Sequence, residues 1–137
     1  MLFAGALTAG EKNMMHCFTF TPVESATQAD WDAFFKASDA MPSKMKGIVN
    51  RVWYGKLRNT LAIYALPNAD DRKKVVAGEK GVKTEVSFRP RSWGMCIELK
   101  GLDSLKKYDD HPYHKEWVAI YSKVRVEGTT TFDILGQ

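Results

Sequence analysis

The residues of this 137-residue sequence best suited to chemistry lie close together in its C-terminal third. Tyr108, His111 and His114 fall in the run YDDHPYH, where Pro112 directly follows the first histidine. An imidazole titrates near pH 6.5 and suits a general base, whereas a tyrosine hydroxyl suits a proton donor. Such a pair could remove an acidic C–H proton and stabilise the resulting enolate, as an aldol-type ring closure requires.

A third histidine, His16, lies in the run MMHCFTF, whose alternation predicts a strand with His16 on its apolar face. We expect this face, a helix and a neighbouring strand to enclose one cavity onto which Tyr108, His114 and His16 converge. Its expected apolar lining comprises Phe18, Phe20, Phe34, Met95 and Ile97. His111 is a further candidate ligand contact. The structural alternatives are a buried core histidine at His16, a helix cap at His111, and a turn held by Tyr108 and His114.

Several predicted helices and strands must position these side chains. Thr27 and Asp30 form a capping-box pattern that predicts a helix ending before Pro42. Residues 47–55 and 60–66 predict two strands joined across a turn at 56–59. A strand is expected after Pro90, then a short helix at 104–108 capped by Asp103. Pro112 predicts the start of another helix, and residues 128–135 predict the last strand.

The resulting order is β-α-β, an insert, then β-α-β. This order predicts an α+β protein with a ferredoxin-like antiparallel sheet that carries both helices on one face. The other sheet face would then lack a covering layer. Two chains packed sheet against sheet would bury it, so the sequence predicts a homodimer that forms a dimeric α/β barrel.

The segment from Tyr108 to His114 fits the pattern Y-x-x-H-P-x-H, and together with His16 in the first strand it resembles the stress-responsive A/B-barrel (Dabb) family. The resemblance covers roughly residues 14–57 and 91–135. It implies a ferredoxin-like fold that dimerises into a barrel. In some plant and fungal relatives, polyketide cyclases, the matching positions would make Tyr108 and His114 the acid/base pair, without metal or cofactor.

Two departures from the family pattern stand out. The segment between the second and third strands, roughly residues 58–90, is much longer here. Where the cyclases carry a cavity-lining tyrosine on the first helix, this sequence has Ser38. The domain organisation expected is therefore a tail or signal-peptide remnant at 1–13, followed by one Dabb-like domain at 14–137 with an insert.

Three functions stay open from the sequence. The first is a protein that binds a small organic ligand, with cofactor-free acid/base chemistry as its enzymatic form. The second is a non-catalytic structural or stress-related interaction protein whose basic insert contacts an anionic partner. The third is a haem-associated monooxygenase-like barrel, in which His16 or His114 would be the iron ligand. The first two need no metal or cofactor.

The net charge of +4 is concentrated in one segment. Residues 72–91 contain seven basic and two acidic residues, a net of +5. A basic face can bind nucleic acid, but the segment has one aromatic residue, Phe88, and no known recognition motif. We therefore expect a solvated surface and no specific nucleic-acid partner.

The two cysteines, Cys17 and Cys96, belong to no metal-binding spacing. They are expected to be small buried hydrophobic residues, or a disulfide if their strands are neighbours and the compartment is oxidising.

The apolar residues 1–10 resemble the end of a secretory signal but lack its basic start. A cytoplasmic location is expected, with export as the alternative. No uncharged run reaches the roughly 18 to 20 residues of a spanning helix.

Overall fold

The computed structural model describes residues 12–136, so nearly all of the predicted tail at 1–13 lies outside the described residues. The elements in chain order are β1 (Met14–Phe20), α1 (Gln28–Asp39), α2 (Met41–Lys44), β2 (Val49–Ala65), α3 (Ala69–Val76), β3 (Ser87–Leu99), α4 (Ser104–Asp110), α5 (Pro112–Tyr121) and β4 (Thr130–Leu135). The strands form one antiparallel sheet in the order β2-β3-β1-β4. The predicted ferredoxin-like fold is confirmed. Within this part of the chain, no helix is both long and apolar enough to cross a membrane.

The core lies between the sheet and helices α1 and α5. Alternation along β1 turns Phe18 and Phe20 towards the helices, where both are buried. The ring of Phe20 lies 5.1 Å from that of Tyr121 and 6.1 Å from that of Phe34, in edge-to-face geometries that aromatic pairs favour. This aromatic cluster fixes both helices on the same side of β1.

Helix α1 begins as its sequence predicts. The Thr27 hydroxyl accepts a hydrogen bond from the backbone N–H of Asp30, and the Asp30 carboxylate accepts one from the backbone N–H of Thr27. This capping box satisfies two of the N–H groups that a helix start leaves free. The helix ends at Asp39, before Pro42, as expected.

The predicted hairpin at residues 47–66 is wrong. Residues 49–65 form the single strand β2, which pairs with β3 along both halves and is interrupted by a bulge between Lys56 and Leu61. A strand alternates with the same period on either side of a turn or a bulge, so the sequence pattern could not distinguish them. Strand β3 is long enough to pair with β2 on both sides of the bulge, so residues 49–65 continue as one strand where a turn was predicted.

The insert is therefore an extension of the sheet. Strand β3 begins at Ser87, not after Pro90, and the pairing of Pro90 with Ala62 falls beyond the part of β3 that pairs with β1. Proline is tolerated where only one side of a strand needs a ladder partner. We call residues 57–91 the arm. Its tip carries helix α3, which was not predicted and which Asn68 caps by accepting hydrogen bonds from two backbone N–H groups.

Three details near the C-terminus differ from the sequence prediction: the cap of α4, the end of α4 and the start of β4. Asp103 precedes α4 but its side chain makes no capping hydrogen bond, and α4 runs on to Asp110. Strand β4 starts at Thr130, two residues later than predicted. Helix α5 begins at Pro112, as predicted.

The sheet face opposite the helices carries a row of four side chains, one from each strand: Trp53, Cys96, Cys17 and Phe132. Cys17 and Cys96 face each other directly across β1 and β3 and form a disulfide. The sequence left their pairing open, and the register of these two strands decides it. The disulfide lies at the centre of this face, between the exposed rings of Trp53 and Phe132.

We predict that replacing both cysteines, Cys17→Ala with Cys96→Ala, lowers the free energy of unfolding by about 2 to 4 kcal/mol, because the cross-link restricts a long loop of the unfolded chain. Urea unfolding of oxidised protein, reduced protein and the double variant measures this, and the last two should agree. Alkylation of two thiols in protein denatured without reductant would contradict the disulfide.

Candidate functional site

Four of the predicted site residues lie around one cavity of about 230 Å3 on the helix side of the sheet: His16, Phe18, Tyr108 and His114. The ring centroid of Tyr108 lies 5.7 Å from that of His16 and 4.3 Å from that of His114. The phenol is thus in reach of one imidazole from strand β1 and another from helix α5.

The junction of α4 and α5 produces this arrangement locally. His111 has extended backbone angles, as a residue before proline prefers, and it separates the two helices by a single residue. Its Nδ1 accepts a hydrogen bond from the backbone N–H of Tyr113 at 3.1 Å, which caps α5. The sharp turn places Tyr108, near the end of α4, beside His114 in the first turn of α5.

His16 is held by a residue that the sequence analysis did not single out. Strand register sets His16 opposite Asp133 of β4, and the distance from His16 Nδ1 to Asp133 Oδ1 is 2.6 Å. A carboxylate accepts hydrogen bonds, so Nδ1 donates its proton to Asp133, and in the neutral ring Nε2 is the atom that carries the lone pair. Only the pairing of two strands far apart in sequence reveals this dyad, since Asp133 belongs to no local motif.

The surroundings of Tyr108 and His114 fix their protonation. Tyr108 is 1% exposed, and burial raises the pKa of its hydroxyl well above the ordinary value, so it stays a proton donor. Partial burial lowers the pKa of His114, which favours the neutral ring. Its Nδ1 lies 3.3 Å from the carbonyl oxygen of Asp109, which can only accept, so Nε2 is the basic atom.

The other predicted site residues are distributed differently. Phe18 lines the cavity, whereas the remaining four apolar candidates, which line no part of it, are fully buried core residues: Phe20, Phe34, Met95 and Ile97. They support the sheet and helices from beneath. His111 caps α5 and lies outside the cavity wall.

Several lining residues were not found from the sequence. Helix α5, the segment that follows it and strand β4 contribute six of them: Trp117, Val118, Tyr121, Arg125, Thr129 and Thr131. The spacing of Trp117 and Tyr121 in the sequence is typical of a buried helix face, but it does not show that this face also meets a cavity. Ser38, at the departure from the cyclase pattern, is buried and accepts a hydrogen bond from Trp117 Nε1 at 2.9 Å. It positions the cavity wall from behind.

Across residues 12–136, no group of three or more His, Cys, Asp or Glu side chains is arranged to hold a metal ion. What the cavity does offer is two imidazoles, a protonated phenol and a wall that includes the aromatic rings of Phe18, Trp117 and Tyr121. This arrangement can take a proton from carbon and donate a hydrogen bond to the oxygen on which negative charge develops.

Comparison with solved structures places this architecture among dimeric ferredoxin-like proteins. A dimeric ferredoxin-like protein of unknown function from Thermobifida fusca has 15% identity and a TM-score of 0.59, covering 95% of this chain and 96% of that one. A Dabb family protein with a ferredoxin-like fold from Mesorhizobium loti has 16% identity and a TM-score of 0.51, over 93% and 99%. A hydroxynitrile lyase from Passiflora edulis has 8% identity and a TM-score of 0.60, over 93% and 95%.

At these identities the likeness establishes the fold. This chain has the ferredoxin-like fold that the resemblance of its sequence to Dabb proteins implied, and a Dabb protein is among its structural neighbours. No protein-family model matches the sequence, and no curated protein matches it.

We predict that the folded protein loses stability as the pH falls below about 6.5, in part because of His114. Its lowered pKa means that the unfolded chain binds a proton more readily, so acid favours unfolding. Urea unfolding at pH 7.5 and 5.5 should show a smaller pH-dependent loss in His114→Gln than in the unaltered protein. An NMR titration midpoint for His114 at or above 6.5 would contradict the assignment.

Proposed function

We propose that this protein binds a small carbonyl compound in the cavity of His16, Tyr108 and His114 and removes a proton from the carbon next to the carbonyl. The observation that carries the proposal is the convergence of two imidazoles on one buried phenol. The histidines come from opposite ends of the chain, and a structural pin for the α4–α5 turn would need only one of them.

The proposed chemistry assigns one step to each group. Nε2 of His114 takes the C–H proton, and the Tyr108 hydroxyl donates a hydrogen bond to the enolate oxygen. His16, oriented by Asp133, provides a second basic nitrogen that can deliver or accept a proton at the opposite end of the ligand. The enolate can then attack a second carbonyl of the same molecule, as in the cyclases that share the Tyr/His-Pro/His pattern.

The size of the cavity limits the ligand. A volume of about 230 Å3 is below the roughly 300 to 1,000 Å3 usual for drug-sized ligands. It favours a compound with one ring over a tetrapyrrole, so the haem alternative gains no support from this geometry. The aromatic side chains Phe18, Trp117 and Tyr121 suit a flat, apolar ring.

The first test follows deuterium exchange into the methyl group of acetophenone in D2O by proton NMR. We expect the protein to accelerate exchange, and we expect His114→Gln or Tyr108→Phe to reduce the acceleration by about 100-fold, the usual contribution of a general base or oxyanion donor. The matched control is His111→Asn, whose side-chain oxygen can still cap α5 and which should exchange like the unaltered protein.

Two outcomes would count against catalysis. If acetophenone perturbs the resonances of His114 without exchanging faster, the protein is a non-catalytic ligand-binding barrel. If it neither binds nor exchanges, the interaction-protein alternative is favoured.

We also propose that the functional unit is a homodimer formed through the sheet face opposite the helices. This face has an apolar depression with a volume of about 520 Å3, lined by residues that include Trp53, Phe132 and Ile134. Trp53 is 78% exposed in the single chain. A contiguous exposed apolar surface of this kind marks an interaction site, and the neighbouring structures from Bacteroides fragilis and Thermobifida fusca are described as dimeric.

The dimer predicts a sedimentation mass of about twice the 15.5 kDa of one chain at micromolar concentration. Trp53→Lys should shift the protein to the monomer, because a charge would then be buried within the interface. Tyr64→Lys is the matched control, since Tyr64 is also a strongly exposed aromatic residue but lies on the arm. A dimer unaffected by Trp53→Lys would place the interface elsewhere.

The Cys17–Cys96 disulfide supports an exported form of the protein over a cytoplasmic one. Disulfides form and persist in oxidising compartments and are rare in the cytosol. The proposed export is independent of the chemistry proposed for the cavity.

A further inference from the structure

Three arginines gather at the end of the sheet where the arm leaves it. Arg89 and Arg91 belong to β3, and Arg125 follows α5. Arg91 is 3% exposed, which is unusual for a charged side chain. Its Nε donates to the hydroxyl of Thr130 at 3.2 Å and its Nη1 to the hydroxyl of Thr21 at 3.1 Å.

These charges lack a counter-charge among the described residues. No carboxylate in residues 12–136 lies within 4.0 Å of the guanidinium groups of Arg89, Arg91 or Arg125. Burial, with the neighbouring charges of Arg89 and Arg125, lowers the pKa of Arg91. Arg125 lies 4.8 Å from the ring centre of Tyr121, and its buried Nε has no hydrogen-bond partner within the described part of the chain. An uncompensated buried cation is costly, so an anion placed here would stabilise the fold.

Two of the arginines, Arg89 and Arg91, border an open cleft that has room for such an anion. The cleft has a volume of about 500 Å3, and its wall includes Thr21, Arg89, Arg91, Glu127 and Gly128. Gly128 has a φ of +95°, and a Cβ there would stand 2.7 Å from Nη1 of Arg89. Glycine at this position therefore lets the guanidinium of Arg89 approach the backbone. A Cβ would displace that guanidinium, and the positive φ disfavours other residues.

We propose that this cleft is a binding site for the dianionic phosphate group of a small molecule, held by Arg89 and Arg91. Guanidinium groups match phosphate oxygens in pairs, through two parallel hydrogen bonds. Arg89, Arg91 and Glu127 are the charged residues of the wall and give it a net charge of +1. Arg125, whose charge acts on Arg91 from nearby, adds a further positive charge, and a dianion would neutralise the two. Arg125 lines the cavity of His16, Tyr108 and His114, but Arg89 and Arg91 do not, so the phosphate site stands independently of the function proposed for that cavity.

The rest of the basic segment does not form part of this site. Lys73 and Lys74 lie on α3 at the tip of the arm and face Asp70 and Asp71 at 3.9 and 3.8 Å. They are exposed and paired, as a solvated surface would be. Of the basic segment at residues 72–91, only the C-terminal end, with Arg89 and Arg91, belongs to the phosphate site, where it lies beside Thr21 and Gly128.

The test is isothermal titration with inorganic phosphate at pH 8, in buffer whose ionic strength is kept constant with sodium chloride. We expect one saturable site per chain. Arg89→Gln should weaken binding at least 10-fold, because the phosphate loses a paired, charged donor. Arg72→Gln is the matched control and should bind like the unaltered protein, since it removes the same charge from α3. Arg91→Gln should weaken binding as well. If that variant does not fold, Gly128→Ala takes its place and should also weaken binding.

Two further probes identify the source of the phosphate. Phenyl phosphate should bind about as tightly as inorganic phosphate, as a small molecule entering an open cleft would. A single-stranded oligodeoxynucleotide without terminal phosphate should bind more weakly than either at this ionic strength. The proposal is overturned if phosphate binding is not saturable, if Arg89→Gln binds as the unaltered protein does, or if the oligonucleotide binds more tightly than phenyl phosphate.

Discussion

The antiparallel pairing of β1 with β3 and β4 is the constraint on which the rest of this structure depends. Because side chains alternate along a strand, β1 sends His16, Phe18 and Phe20 towards the helices and Cys17 towards the opposite face. A slip of one residue would exchange these faces and remove the aromatic core from beneath α1 and α5. The same register places Cys17 opposite Cys96 and His16 opposite Asp133. Core packing, cross-link and candidate site therefore share one cause.

Burial then gives the residues of the candidate site their chemical character. Tyr108 and His114 have ordinary side chains, and it is the loss of water around them that favours the protonated phenol and the neutral imidazole. The walls that exclude water are part of the core, since Trp117 lines the cavity and is also held by its hydrogen bond to Ser38. A cyclase-type tyrosine at Ser38 would have to displace this contact, so the departure from the family pattern has a structural use here.

The charge of the arm is divided by its geometry into two kinds of surface. At the tip, basic side chains stand in solvent beside acidic ones on a short helix, where an ion pair contributes little. At the base of the arm, Arg89 and Arg91 lie on β3, where it pairs with the part of β2 that continues past Lys56. The charge of Arg91 is buried there. A count of basic residues along the sequence does not distinguish these two surfaces. Only at the base of the arm is an arginine buried, and only there do two arginines line one cleft.

The sequence by itself determined what local interactions control. The capping box at Thr27, the helix start at Pro112 and the alternating face of β1 each depend on residues a few positions apart, and each was predicted. The motif at Tyr108 and His114 was equally visible, and so was the ferredoxin-like order of elements. Tertiary structure alone decided that β2 continues through the predicted turn, that Cys17 meets Cys96, that Asp133 holds His16, and that two arginines share a cleft with Gly128. These contacts join residues far apart in the chain, and strand register, which no local pattern encodes, brings them together.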